Sequence, residues 1–134
     1  MQTTLFVLGL VLFLLGMLTG LAVPASKNPR MGVASHLEGV MNGPFLIVVG
    51  LLWPYLDLAH GWRLAVVILL AYGTYAYWLA TQLGALWGAG GKYAPIATGE
   101  HVASPTKENV INVLLVSLTP AMIVGCVILV VGVV

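Results

Sequence analysis

Charged residues are scarce in this sequence: Lys and Arg total 5, Asp and Glu total 4, and together they make up 7% of the 134 residues. Soluble domains typically contain about 25% charged residues, so a chain this short lacks the polar groups to cover a globular surface. It is 60% hydrophobic, with a mean hydropathy of +1.06, and this composition predicts a membrane protein. A net charge of +1 creates no basic field for nucleic acid, so the expected partners are membrane lipid and a small apolar molecule.

The sequence also lacks the motifs of common soluble enzymes. Its single cysteine, Cys126, excludes an internal disulfide and a cysteine-based metal cluster. There is no glycine-rich phosphate loop, no GxSxG and no HExxH. The three histidines are far apart in sequence, and a site built from them alone would need side chains from both membrane surfaces. A single imidazole is nevertheless enough to ligate a haem iron, because the apolar macrocycle itself suits a hydrophobic groove.

Four hydrophobic runs approach or exceed the roughly 20 residues that cross a bilayer as a helix. They predict one all-α transmembrane domain, an integral membrane four-helix bundle that is expected to be oligomeric, with helices at about 4–23, 33–56, 62–89 and 110–134. The first run has no Lys or Arg ahead of it and exceeds the usual apolar length of a signal peptide. It is therefore predicted to be a helix of the mature protein. The connection 90–109 is rich in Gly, Pro and small polar residues and is predicted to be a loop.

The basic residues predict an orientation. The first and third connections must lie on the same side of the membrane, and they contain Lys27, Arg30, Lys92 and Lys107. On the opposite side of the membrane the only basic residue is Arg63, just after the second connection. Because cytoplasmic loops are enriched in Lys and Arg, we expect these two connections in the cytoplasm and both termini in the periplasm, in a multi-pass protein of the bacterial inner membrane.

Glycines recur at four-residue spacing within the predicted helices. The pairs are Gly16–Gly20, Gly39–Gly43 and Gly84–Gly88. Small residues at this spacing allow two helix backbones to approach closely in lipid. The pattern therefore predicts tight helix packing, either within the chain or between copies of it.

Polar residues are concentrated in the stretch ASHLEGVMNG, residues 34–43. His36 lies near the predicted cytoplasmic end of the second helix, and Asn42 lies about 9 Å deeper at 1.5 Å per residue. Glu38 and Asn42 are four residues apart and share a helix face. Glu38 could instead be solvated, or pair with Arg30 or His36. Because polar groups within lipid usually face a bundle interior or a cavity, the stretch indicates a site near the cytoplasmic mouth.

Other polar and aromatic side chains are predicted to reach the same depth from the third and fourth helices: Tyr72, Tyr75, Tyr77, Trp78, Gln82 and Asn112. Tyr75 and Gln82 are seven residues apart and lie on one helical stripe. Asn112 could simply form an interhelical hydrogen bond. Asn109 or Thr106 could cap the fourth helix.

The whole chain resembles a known family of proteins. The pattern His36-x5-Asn42-Gly43 resembles that of the small four-helix membrane isomerases typified by styrene oxide isomerase. The resemblance continues in a short turn followed by Arg63, an aromatic-rich third helix, a long Gly/Pro loop and a proline in the fourth helix. The chain length and the first helix are most similar to the hydroxylaminobenzene mutases of nitroarene-degrading bacteria.

This resemblance implies specific roles. His36 would be the axial ligand of a ferric haem b, and Asn42 would contact the substrate oxygen. A tyrosine of the third helix would line the site; Tyr72, Tyr75 and Tyr77 compete for this role, and the stripe shared with Gln82 favours Tyr75. The implied oligomer is a homotrimer with haem near the subunit interfaces. The implied activity is that of an isomerase that rearranges hydroxylaminobenzene to 2-aminophenol without net redox change.

Three alternative functions remain open from the sequence. The same site residues could open an aryl epoxide such as styrene oxide. The chain could also be a haem-binding or electron-transfer subunit, although such proteins usually hold haem between two histidines and only His101 could join His36. It could also be a structural or transport subunit without a cofactor.

Overall fold

The computed structural model describes all residues, from Met1 to Val134. The chain forms four long α-helices, one short α-helix and two single-turn 3-10 helices (Val23–Ala25 and Trp53–Tyr55), and it contains no strand. The α-helices are α1 Gln2–Ala22, α2 Pro29–Leu52, α3 His60–Trp87, α4 Pro95–Thr98 and α5 Pro105–Val133. The four long helices are sufficiently long and apolar to cross a membrane. The predicted fold class, an all-α integral membrane four-helix bundle, is confirmed.

Two of the long helices begin at prolines, earlier than the hydrophobic runs indicated. α2 begins at Pro29, four residues before position 33, and α5 begins at Pro105, five residues before position 110. Proline suits the first helical position because the N–H that it lacks would have no partner there. Ser104 is the N-cap residue of α5, so the prediction that Asn109 or Thr106 caps this helix was wrong.

α1 and α2 pack along the glycines of both helices. A Cβ on Gly16 would lie 2.7 Å from Gly39 Cα, and one on Gly43 would lie 2.7 Å from the Gly9 carbonyl oxygen. No larger residue fits at this backbone separation. The predicted tight packing is therefore confirmed where Gly16 meets Gly39 and where Gly9 meets Gly43. Gly84 also contacts another helix, through the side chain of Met31.

α3 is central in the bundle, because it packs against α2 on one side and α5 on the other. α1 packs mainly on α2. Buried leucines and valines of α1, α2, α3 and α5 form the core, among them Leu5, Leu12, Leu46, Val66 and Leu129. The side chains on the outer surface are largely exposed and apolar, as is expected of helices that face lipid.

The connection between α3 and α5 folds over the N-terminus of α2. Asn28 donates a side-chain hydrogen bond to the Ala97 carbonyl at 2.9 Å, and Arg30 donates to the Ile96 carbonyl at 3.0 Å. The first and third connections therefore contact each other at one end of the bundle, as the topology required. The connection was predicted to be a loop throughout, but it contains the single turn of α4.

Candidate active site

His36 lies on α2 with its ring against α1. Its Nδ1 is 2.8 Å from the Gly16 carbonyl oxygen, and a Cβ on Gly20 would lie 2.6 Å from that nitrogen. Glycine at position 20 is therefore what makes room for the ring. When Nδ1 carries the proton and donates to the carbonyl, the lone pair of Nε2 is available to a metal, which is the usual arrangement of a metal-ligating histidine.

The helix surfaces around His36 are largely apolar. Hydrophobic residues close in sequence to Gly16 and Gly20 on α1 and to His36 on α2 are exposed: Met17, Leu21, Val33 and Leu37. No group of three or more His, Cys, Asp or Glu side chains in the chain could hold a metal ion. One available imidazole nitrogen beside an apolar surface fits a haem with a single protein ligand, and it fits no metal bound by protein ligands alone.

Glu38 and Asn42 lie on a different side of α2. At about 100° per residue, positions 36 and 38 differ by about 200° around the helix axis. The Asn42 Nδ2 donates to Glu38 Oε2 at 2.8 Å, so the predicted shared face is confirmed. Because Arg30 donates to a backbone carbonyl and His36 contacts Gly16, neither of the predicted charged partners of Glu38 binds it.

A cavity of about 180 Å³ adjoins Glu38. Its walls come from α2, α3, α5 and the connection between the last two, and are mostly apolar: Met31, Ala34, Glu38, Tyr77, Ala80, Thr81, Tyr93, Ala94, Ala97, Ile111 and Leu115. A dry cavity of about 150 Å³ is known to bind benzene. This cavity is therefore large enough for one aromatic ring, with one carboxyl group and two phenols in its wall.

The cavity continues towards the outside of the bundle. A groove of about 500 Å³ on the surface of α3 and α5 shares three of its lining residues with the cavity, namely Tyr77, Tyr93 and Leu115. Tyr77 and Tyr93 are 37% and 49% exposed, so they stand between the cavity and the outer surface of the bundle.

Of the competing tyrosines, the structure places Tyr77, and not Tyr75, in the cavity wall. The Tyr75 hydroxyl donates to the Leu8 carbonyl at 2.7 Å, and its ring packs on the core. Trp78 also packs on the core, and its Nε1 is buried without a hydrogen-bond partner. Tyr75 and Trp78 therefore lie inside the bundle, away from the Glu38 cavity.

Two of the three remaining predicted site residues connect helices. The Tyr72 hydroxyl lies 2.6 Å from Ser117 Oγ, between α3 and α5. Gln82 accepts a hydrogen bond of 2.9 Å from Ser35, between α3 and α2. An interhelical hydrogen bond was considered for Asn112, but its side-chain Oδ1 is buried and has no hydrogen-bond partner.

The sequence did not indicate the contribution of the third connection to the cavity. Tyr93 and Ala97 line it, whereas Tyr93 had no predicted site role. A proline and a glycine bracket the short helix: Pro95 is its first residue, and Gly99, with a φ of 60°, follows it. This pair of signals could have revealed an ordered turn.

The other histidines are poorly placed to serve as a second haem ligand. Both ring nitrogens of His101 face backbone carbonyls, Nδ1 at 3.0 Å from Thr98 and Nε2 at 3.1 Å from Lys27. His60 is exposed at the opposite end of the bundle, as the first residue of α3. This arrangement disfavours haem held between two histidines of one chain.

Comparison with known proteins agrees with this architecture. A family model described as styrene oxide isomerase matches residues 1–134. Hydroxylaminobenzene mutase HabA of Ectopseudomonas oleovorans is 64% identical over 133 residues, which cover 99% of this chain and 98% of that protein. Hydroxylaminobenzene mutase HabB of the same organism is 52% identical over 119 residues, covering 89% of this chain and 73% of that protein.

No solved structure matches the chain. The family model nevertheless covers its full length, and the four long helices are those of a multi-pass membrane protein. The chain therefore belongs to the styrene oxide isomerase family and is a membrane isomerase.

Proposed function

We propose that the chain rearranges hydroxylaminobenzene to 2-aminophenol in the bacterial inner membrane, with a ferric haem b ligated by His36. The names of two relatives, at 64% and 52% identity, support this substrate. The observation that carries the proposal is the arrangement on α2: an imidazole with a free Nε2 on one side, and a ring-sized cavity with a carboxyl–amide pair on the other.

His36 would hold the haem, and α1 orients His36. The hydrogen bond to the Gly16 carbonyl fixes the tautomer and the rotation of the ring, and such outer partners of a metal-ligating histidine tune its basicity. When bound, a ferric haem supplies a Lewis acid for the oxygen of the substrate.

Two copies of the chain would form each active site. His36 faces α1, whereas Asn42 is bonded to Glu38 beside the cavity, so the two side chains of one chain do not converge. A homo-oligomer resolves this if Asn42 and the cavity of one copy face His36 of the next. The family resemblance implies a trimer.

Asn42 would stabilise the oxygen as the N–O bond breaks heterolytically. The side-chain amide has two N–H groups, and one of them already donates to Glu38. The second can donate to the oxygen, on which negative charge grows during the reaction. A donor that acts at this point stabilises the transition state more than the ground state.

Tyr77 and the apolar walls would act on the aromatic ring of the substrate. As the N–O bond breaks, the ring acquires cationic character, and the face of a tyrosine ring can stabilise such charge by about 2 kcal/mol in a dry site. We assign this role to Tyr77, in the cavity wall, in preference to Tyr75 and Trp78, which pack on the core. The apolar walls exclude water that would otherwise capture the cation.

Isomerisation of an aryl epoxide is the second candidate function. The family model is that of styrene oxide isomerase, and a donor to a departing oxygen next to an aromatic cavity would also serve to open an epoxide. The electron-transfer alternative has less support, because both ring nitrogens of His101 face carbonyls.

An anaerobic assay of the purified protein distinguishes these functions. Hydroxylaminobenzene and styrene oxide are supplied separately, the products are separated by chromatography, and the Soret band is recorded. We expect a Soret band and the formation of 2-aminophenol. Conversion of styrene oxide alone would favour the second candidate, and a protein with neither product nor Soret band would overturn the proposal.

A further inference from the structure

The rearrangement requires a proton transfer that the residues assigned above do not perform. Once the oxygen has joined the ortho carbon, that carbon carries both oxygen and hydrogen, and the neighbouring carbon is doubly bonded to nitrogen. To reach 2-aminophenol, the C–H bond must break, its electrons must restore the aromatic ring, and the C=N electrons must take up a proton on nitrogen. The proton count is unchanged overall, so one group that accepts and then returns a proton is sufficient.

We propose that Glu38 is this proton carrier, which makes it a further catalytic residue. Its carboxylate takes the proton from the ortho carbon and returns a proton to the nitrogen. No oxidant, reductant or added acid is needed, because the group ends the cycle as it began. This inference rests on the proposed function, because only the rearrangement of an aryl hydroxylamine contains this step.

The position of Glu38 suits the role. The side chain is half-buried and lines the ring-sized cavity. Its Oε2 is held by Asn42, whereas Oε1 has no hydrogen-bond partner in the chain. The ortho carbon and the nitrogen are separated by a single ring atom, so one carboxyl group beside the ring can reach both without release of the substrate.

The other groups around the cavity are poorer proton carriers. Glu38 is the only carboxyl group among the lining residues. The phenols of Tyr77 and Tyr93 and the hydroxyl of Thr81 complete the set of groups with exchangeable protons, and unperturbed phenols ionise near pH 10. A carboxyl group exchanges a proton more readily than a phenol or an alcohol does, so Glu38 is the best proton carrier in this wall.

The competing explanation is that Glu38 only positions Asn42, as side chains four residues apart on a helix commonly do. The two roles act on different bonds. A positioning residue would affect cleavage of the N–O bond, whereas a proton carrier affects cleavage of the C–H bond. Deuterium at both ortho positions of hydroxylaminobenzene reports on the second bond alone.

The experiment compares Glu38→Gln with the wild-type protein in oligomers that retain the Soret band. Glutamine keeps an oxygen that can accept from Asn42 but cannot take up the proton. General acid–base groups contribute factors of about 10²–10⁴, so turnover should fall at least about 100-fold, with a primary deuterium isotope effect larger than that of the wild type. Asn42→Ala is the matched control: it should slow turnover without raising the isotope effect.

Glu38→Asp provides a second variant, with the carboxylate on a shorter side chain. Its turnover and isotope effect should lie between those of the wild type and Glu38→Gln. In either folded variant, an isotope effect equal to that of the wild type would overturn the role of Glu38 while the proposed function stands. Absence of 2-aminophenol from the wild-type reaction would instead overturn the proposed function, and the role of Glu38 with it.

Discussion

Replacement of Gly20 by alanine tests how α1 holds His36. A Cβ at this position would lie 2.6 Å from His36 Nδ1 and 3.0 Å from Cε1. Non-bonded carbon contacts are normally about 3.5–4.0 Å, so the ring must move by several tenths of an ångström or more. The movement would strain or break the 2.8 Å contact with the Gly16 carbonyl, and with it the orientation of Nε2.

The expected loss of haem affinity follows from the packing around the ring of His36. Adding a methyl group to a well-packed site typically costs about 1–3 kcal/mol. Since about 1.4 kcal/mol corresponds to a tenfold change in affinity, Gly20→Ala should weaken haem binding by about five- to 140-fold. His36→Ala should give the largest loss of haem binding, because it removes the proposed ligand altogether.

The assay is a titration of haem-free protein with haem, followed by the Soret band. Gly61→Ala is the matched control, because a Cβ on Gly61 would meet no atom within 4 Å, and it should bind haem as the wild type does. His101→Ala should also retain haem. If Gly20→Ala binds haem with wild-type affinity, the ring of His36 is not held by α1 as described, and its assignment as the ligand loses its structural basis.

Three further predictions concern the site and the topology. Asn42→Ala should lower turnover by about 10²–10³ with an intact Soret band, and full activity in this variant would remove Asn42 from the mechanism. Tyr75→Phe should lose far less activity than Tyr75→Ala in the same assay. The phenylalanine keeps the packed ring and loses only a hydrogen bond to a backbone carbonyl, which is worth about 1 kcal/mol. Equal, severe losses in both variants would show that the hydroxyl itself takes part in the reaction. Reporter fusions should place the C-terminus in the periplasm, and a cytoplasmic C-terminus would reverse the predicted orientation.

Much of the fold could be predicted because lipid leaves few choices. A chain that crosses the hydrocarbon core must satisfy its backbone polar groups internally, and a hydrophobic run of about 20 residues does so as a helix. The four-residue spacing of Glu38 and Asn42 likewise predicted their shared face, and the structure joins them at 2.8 Å. Local spacing along one helix was therefore a sound guide.

The rotation of each helix against its neighbours could not be predicted in this way. Tyr75 and Tyr77 are two residues apart and differ by about 200° around α3, so the packing of α3 decides which of them reaches the cavity. The structure places Tyr77 there and bonds Tyr75 to α1. The six-residue spacing of His36 and Asn42 puts them about 120° apart around α2, but it does not show which neighbouring helix each of them faces.

The short helix α4 was missed for a different reason. Its four residues, Pro95–Thr98, are too few to show a hydrophobic period, and an isolated helix of this length is unstable. Side chains of α2 and its cap hold the segment in place, because Asn28 and Arg30 donate to its backbone carbonyls. Tertiary hydrogen bonds, which the local sequence does not reveal, therefore determine this part of the cavity wall.

Co-expression of His36→Ala and Asn42→Ala chains tests whether each active site combines His36 of one copy with Asn42 of another. The two chains carry different affinity tags, and oligomers that carry both tags are purified. If the site is shared, some mixed oligomers pair an intact His36 with an intact Asn42, and turnover of hydroxylaminobenzene should rise well above that of either parent. Doubly tagged oligomers with no more activity than the parents would show that both residues act from one chain, and would rule out the shared site.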